Sequence, residues 1–186
     1  PVYSSINDLL ADGAVASTMD GVIICTPHIT HHKIGLQFLE YGTKRANGDD
    51  GGKPLHILME KPMTTCVEEA KSLHELVSEY EKRGNGTFLI NHSANYREQT
   101  KAAQSLVMSG KLGRIRLITA IFASPLTWLF DNKANKGWNE PDDSGKMIGN
   151  GLAWGQASHM LAWIYHVSNV TPSRVYCQMT NSVINS

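Results

Sequence analysis

Cysteine is scarce in this sequence. Its three copies, Cys25, Cys66 and Cys177, lie far apart and form no Cys-x-x-Cys pair. That spacing excludes a disulfide-stapled scaffold and a zinc ribbon, and it fits a reducing compartment, so a cytoplasmic location is expected. Charge of one sign is lacking too, with 17 Lys plus Arg against 17 Asp plus Glu. A chain without a basic surplus has no electrostatic footprint for nucleic acid. No apolar run approaches the roughly 18 residues that a membrane helix needs, and the stretch around Gly21 to Cys25 is only strand-sized. The opening residues do not read as a signal sequence, so none is expected. What remains is an ordinary globular composition, 186 residues with 41% apolar and 18% charged side chains, enough to close a core. The first residue is Pro1 rather than Met, and the last stretch reads as a strand cut off in mid-sheet. A piece of a longer polypeptide is therefore expected.

Along the chain, Ser5 to Leu10 reads as a short capped helix, followed by the apolar run Gly21-Val-Ile-Ile-Cys25. A short run apolar on both faces predicts a central parallel strand, with Cys25 inside it. Ile34, Phe38 and Tyr41 then recur at helical spacing, with Gly42 as the expected stop. A polar loop, Arg45 to Lys53, leads to a second strand, His56 to Met59. Thr65 and Glu68 have the spacing of a capping box for the next helix, which Gly84 and Gly86 close before a third strand, Thr87 to Ile90. Alternating strands and helices predict a parallel α/β architecture. Past about residue 94 the rhythm changes. A helix from Gln99 to Met108, a strand from Arg114 to Phe122, a long loop, a helix from Asn150 to His166 and a strand from Val175 to Met179 are expected. The organisation is thus the tail of a doubly wound domain, residues 1–94, followed by the start of an α+β domain, residues 95–186.

In open parallel sheets the carboxyl ends of the strands face the ligand crevice. Here those ends read Thr26-Pro27-His28-Ile29-Thr30-His31, Glu60-Lys61-Pro62 and Asn91-His92. Polar turn residues after a strand are commonplace. Three tips in a row with imidazole, carboxylate or ammonium groups are less so.

In this order and spacing, Thr26-Pro27-His28 with His31, Glu60-Lys61-Pro62, Asn91 to Arg97, Ser109-Gly110-Lys111-Leu112-Gly113 and a glycine-rich approach to His159 resemble the Gfo/Idh/MocA family of nicotinamide-dependent oxidoreductases. The resemblance runs from about Ser4 to His166. It implies the second half of a Rossmann-type doubly wound sheet, followed by the start of a substrate-binding and oligomerisation domain. It further implies NAD or NADP as cofactor, bound by Thr26, Pro27, His28, His31, Glu60, Lys61 and Asn91. Lys61 and His159 would be catalytic: an ammonium at a strand end stabilises developing negative charge on oxygen, and an imidazole relays the proton. Arg97, Trp138, Asn139, Gln156 and His159 would face the substrate, a sugar, polyol or related small molecule. A homo-oligomer built through the second domain is expected, with no nucleic acid or membrane partner.

Two departures stand out. The family often carries an acid one helical turn before the histidine and a glycine two residues before it. This sequence has Gly155 and Ala157 there, so Gln156 or Lys61 supports His159 or the alcohol chemistry is altered. The Gly-x-Gly-x-x-Gly turn that cradles a pyrophosphate is also absent, since Gly149-Asn150-Gly151 lacks a third glycine. The resemblance puts that turn upstream of Pro1. A catalytically altered relative that binds cofactor or sugar, or serves as an assembly subunit, is the alternative. No metal site is expected, because His28, His31 and His32 do not converge with further ligands.

Overall fold

A computed structural model describes residues 1–48, 52–123, 132–138 and 151–178, without the side chains of residues 136, 138 and 151–153. Its centre is a parallel sheet of three strands in the order β1-β2-β3: Gly21–Ile24, His56–Glu60 and Phe88–Asn91. The register pairs Ile24 with Met59 and Glu60 with Asn91, so the three strands end close together. The first two strands return through helices, α3 (His31–Ala46) after β1 and α4 (Val67–Lys82) after β2. Two short helices, α1 (Ile6–Ala11) and α2 (Gly13–Ala16), precede the sheet, with Ser5 capping α1 through a bond from the Asp8 amide. This is an α/β fold.

Alternation along β2 explains the core. Ile57 and Met59 face Phe38 and Leu39 of α3 and Leu73 and Tyr80 of α4, and Leu55, Ile24 and Phe88 complete the cluster. Such burial stabilises by roughly 1.5–3 kcal/mol for each large apolar side chain. The opposite face is open, with Ile23 70% exposed. β1 is accordingly not central as its composition predicts. It is the edge strand here, because no described segment pairs with its outer side, and Cys25 lies beyond its end, exposed.

Two local expectations change and one holds. Gly42 does not stop α3, which runs on to Ala46. A Cβ at Gly42 would overlap the Tyr80 hydroxyl, which donates to Leu55 O at 2.7 Å, so this glycine serves the α3–α4 contact. Thr65 and Glu68 do not bracket a cap, because α4 starts one residue later, behind Cys66. Thr64 Oγ1 instead donates to Cys66 O at 2.7 Å. Gly84 does follow the end of α4, at φ +73.

Beyond β3, a 3-10 turn, Ser93–Tyr96, packs with α5 (Glu98–Met108) and α6 (Gly151–Ser168). Trp163 Nε1 donates to Thr100 Oγ1 at 2.9 Å, and that hydroxyl donates to Ala94 O at 2.7 Å, tying all three together. The two strands expected at Arg114 to Phe122 and Val175 to Met179 are not formed among the described residues, and Met179 lies outside them. A strand needs a ladder partner for its backbone groups, and none is described there. Their apolar side chains stay in solvent, Ile121 at 90% and Tyr176 at 87% exposure. No helix among the described residues is long and apolar enough to cross a membrane.

Candidate active site

The strand ends build one cleft. Cys25, Thr26, Pro27, His28, Glu60 and Lys61 line a hollow of about 370 Å³ at the carboxyl edge of β1 and β2. A larger groove of about 560 Å³ lies between α3 and α4, walled by Leu36, Leu39, Leu76 and Tyr80. Its rim holds surface groups such as Glu40 and Lys44, which bond each other at 2.7 Å. Size favours the groove and chemistry favours the cleft, where polar groups from separate loops converge.

Lys61 is the pivot of the cleft. It follows β2 directly, and its Nζ donates to Gly155 O on α6 at 2.8 Å. Half-burial lowers its pKa, and the Glu60 carboxylate opposes that shift. Glu60 is itself held, since Oε1 accepts from Asn91 Nδ2 at 2.5 Å and Oε2 from the Lys61 amide at 3.3 Å. The β2–β3 register makes this contact, because Glu60 and Asn91 are paired.

Three imidazoles surround this ammonium. Burial, then the neighbouring His31 and Lys61, push the pKa of His28 down to about 4, against the pull of Glu60. Burial and Lys61 also lower His92, and His159 is lowered by burial, Lys61, His92 and Arg97. His92 and His159 meet edge to face, ring centroids 6.3 Å apart, each with a buried Nδ1 that has no hydrogen-bond partner among the described residues. All three rings are therefore held toward the neutral form. The unfolded chain, with ordinary imidazoles near 6.5, binds more protons below that value. Stability is thus expected to be complete above about pH 6.5 and to fall as pH drops from there toward 4. Melting temperatures between pH 7.5 and 4.5 check this, and His28→Gln should flatten the decline.

The sequence-predicted residues divide clearly. Thr26, Pro27, His28, Glu60 and Lys61 share the cleft, and Asn91 joins through Glu60. His159 stands close enough to Lys61 and Arg97 to feel both charges, while Arg97 is exposed at the start of α5. Gln156 is half-buried beside Gly155. His31 requires correction. It is fully buried, with Nδ1 2.8 Å from Pro62 O and Nε2 2.9 Å from Thr26 O, so it sits beneath the cleft and cannot line a cofactor. With both nitrogens engaged it is no metal ligand either, and no group of three metal-binding side chains occurs among the described residues. The Trp138 side chain and all of Asn139 lie outside the described residues, as do Trp128 and the Gly149-Asn150 pair.

Sequence reasoning missed two participants. His92 could have been singled out from its place at a strand tip. The Gly155 carbonyl could not, because no side chain marks it. Gly155 itself has open space where a Cβ would point. Gly155→Ala should keep the bond to Lys61 and stabilise α6 by about 1 kcal/mol, since glycine is a poor helix former. Thermal unfolding should show a rise of about 2–4 °C.

Comparison with known proteins agrees with this geometry. Residues 1–86 match the model of the Gfo/Idh/MocA family, described as an oxidoreductase family with an NAD-binding Rossmann fold. An uncharacterized oxidoreductase of Schizosaccharomyces pombe is 26% identical over 168 residues, which is 86% of this chain and 36% of the relative. Among solved structures, the WlbA dehydrogenase of Bordetella pertussis, in complex with NADH and UDP-GlcNAcA, superposes with a TM-score of 0.62 at 18% identity. That match covers 89% of this chain and 40% of the other. An inositol dehydrogenase homolog of Azotobacter vinelandii, complexed with NAD+, gives 0.62 at 20% identity, covering 89% and 39%. The chain thus spans about two fifths of these proteins. Residues 1–86, which hold most of the strand-end cleft, are similar to the Gfo/Idh/MocA oxidoreductase family with its NAD-binding Rossmann fold.

Proposed function

We propose that the protein is an NAD- or NADP-dependent oxidoreductase acting on a hydroxyl-bearing or carbonyl carbon of a sugar, polyol or related small molecule. Residues 1–94 serve the dinucleotide and residues 95–186 begin the substrate and oligomerisation domain. The observation that carries this reading is Lys61, a half-buried ammonium at the end of β2, braced by Gly155 O and facing a polar cleft.

The cleft suits the ring end of a dinucleotide: it is open and lined by both polar groups, such as Glu60, and the flat Pro27 ring. Thr26, Pro27, His28, Glu60 and Asn91 would hold that end. When bound, the nicotinamide supplies the acceptor or donor of a hydride. Lys61 donates a hydrogen bond to the reacting oxygen and stabilises its negative charge as the carbon–hydrogen bond breaks. His159, held neutral, takes the hydroxyl proton on Nε2, because its Nδ1 is shut away from solvent. Arg97, Trp138, Asn139 and Gln156 are the candidates for the substrate's remaining hydroxyls. Assembly into a homo-oligomer through the second domain, and a cytoplasmic setting, belong to the same proposal.

One observation favours a binding-only relative. No acid stands one helical turn before His159, where Gly155 lies, and its Nδ1 has no partner among the described residues. The test is reduction of NAD+ and NADP+, followed by nicotinamide absorbance, against inositols, aldoses, sugar acids and their nucleotide conjugates with the full-length protein. Reduced cofactor with at least one substrate class is expected. Tight dinucleotide binding without turnover on any would favour the binding-only relative instead.

A further inference from the structure

The turns that follow β1 and β2 meet on one buried side chain that the proposed chemistry leaves unused. His31 opens α3, is fully buried, and directs each ring nitrogen at a backbone carbonyl of a cleft-forming turn. Pro62, bonded to Nδ1, directly follows Lys61, and Thr26, bonded to Nε2, lines the facing wall. A carbonyl oxygen only accepts, so a proton on Nδ1 ties the Lys61 turn and a proton on Nε2 ties the Thr26 turn. The charged and titratable groups around the ring belong to the site itself. His28 lies 5.7 Å away between centroids, and Glu60 and Lys61 occupy the next turn.

A histidine that merely filled the core would need one satisfied nitrogen and no particular partner. This one directs its two nitrogens at two carbonyls, each on a turn that faces the ligand, and a neutral ring donates to one of them at a time. With the proton on Nδ1, Lys61 is fixed at both ends, by Gly155 O at the ammonium and through Pro62 at the backbone.

We propose that His31 is a positioning residue that sets Lys61 through Pro62 O and the opposite cleft wall through Thr26 O. This rests on the reading of Lys61 as the group that polarises the substrate oxygen. The two ties are separable, because an asparagine amide nitrogen falls where Nδ1 lies and a glutamine amide nitrogen where Nε2 lies. His31→Asn keeps the Lys61 tie, His31→Gln keeps the Thr26 tie, and His31→Ala keeps neither.

The experiment compares kcat, NADH affinity and the Lys61 titration, followed by NMR of lysine-labelled full-length protein, across these variants. His31→Asn should hold kcat within about threefold of the parent, whereas His31→Gln should lose about tenfold or more, the scale of a small misplacement of a reacting group. Burial lowers the Lys61 pKa, so its titration should move up toward the ordinary lysine range in His31→Gln and His31→Ala as the turn loosens and water enters. NADH affinity should weaken more in His31→Asn than in His31→Gln. Equal losses in both variants with an unmoved Lys61 titration would overturn the proposal and leave His31 as core packing. Should neither variant fold, imidazole nitrogen spectra of the parent decide: a protonated, exchange-protected Nδ1 is expected, and a bare Nδ1 overturns the Lys61 tie. If Lys61→Met keeps its turnover, the catalytic reading of Lys61 fails alone, because the titration and the NADH affinities still report on His31.

Discussion

Replacing Lys61 by methionine should lower turnover by about a thousandfold while NADH affinity stays within about threefold, since removing one donor from a developing oxyanion costs 10²–10³ in rate. Methionine keeps the length and apolar stem of the side chain, so the half-buried position is still filled. It removes the ammonium that donates to Gly155 O and, in the proposed reaction, to the substrate oxygen. One cost is structural, because Gly155 O loses the Lys61 donor and keeps Ser158 Oγ at 3.2 Å, a net loss of about 1 kcal/mol. Measuring the melting temperature beside kcat separates that loss from the kinetic one. Turnover surviving within a factor of ten, about 1.4 kcal/mol in barrier, would remove Lys61 from the chemistry.

The largest stability effect is expected at Gly86, far from any ligand. Its φ is +148, a conformation that L side chains rarely adopt, and a Cβ would overlap the Leu55 carbonyl oxygen. That carbonyl is already the acceptor for the Tyr80 hydroxyl, and the Leu55 amide donates to Asn85 O at 2.9 Å. The overlap is therefore with backbone locked on both sides, and no flexible side chain can move to relieve it. Gly86→Ala should destabilise by about 3 kcal/mol, combining backbone strain and a displaced β2–β3 entry. In a chain of this size the melting temperature should drop by about 6–12 °C. Gly84→Ala makes a useful control, since φ +73 is strained there but the space is open, and it should cost about 1 kcal/mol.

Much of this was legible in the chain itself. The β1, β2 and β3 runs declared themselves because a parallel strand buried against helices is apolar nearly throughout, and the three polar tips announced the cleft. Gly42 misled because helix-stopping glycine and packing glycine look alike in sequence, and only the Tyr80 hydroxyl across the interface separates them. β1 misled for a related reason. Ile23 is apolar, but nothing described covers it. His31 was placed among the cofactor-lining residues by its motif, yet burial and two carbonyl contacts depend on how the Pro62 turn folds back, which no local pattern encodes. The Gly155 contact spans 94 residues and uses a carbonyl common to every residue, so it could come only from the fold.

The central claim is that the strand-end cleft, and not the larger α3–α4 groove, takes the nicotinamide. Titrating isotopically labelled full-length protein with NAD+ tests it most directly. The account predicts that Thr26, His28, Lys61 and Asn91 resonances shift together with one dissociation constant, while Leu36, Leu76 and Tyr80 stay in place. Shifts confined to the α3–α4 groove would contradict it.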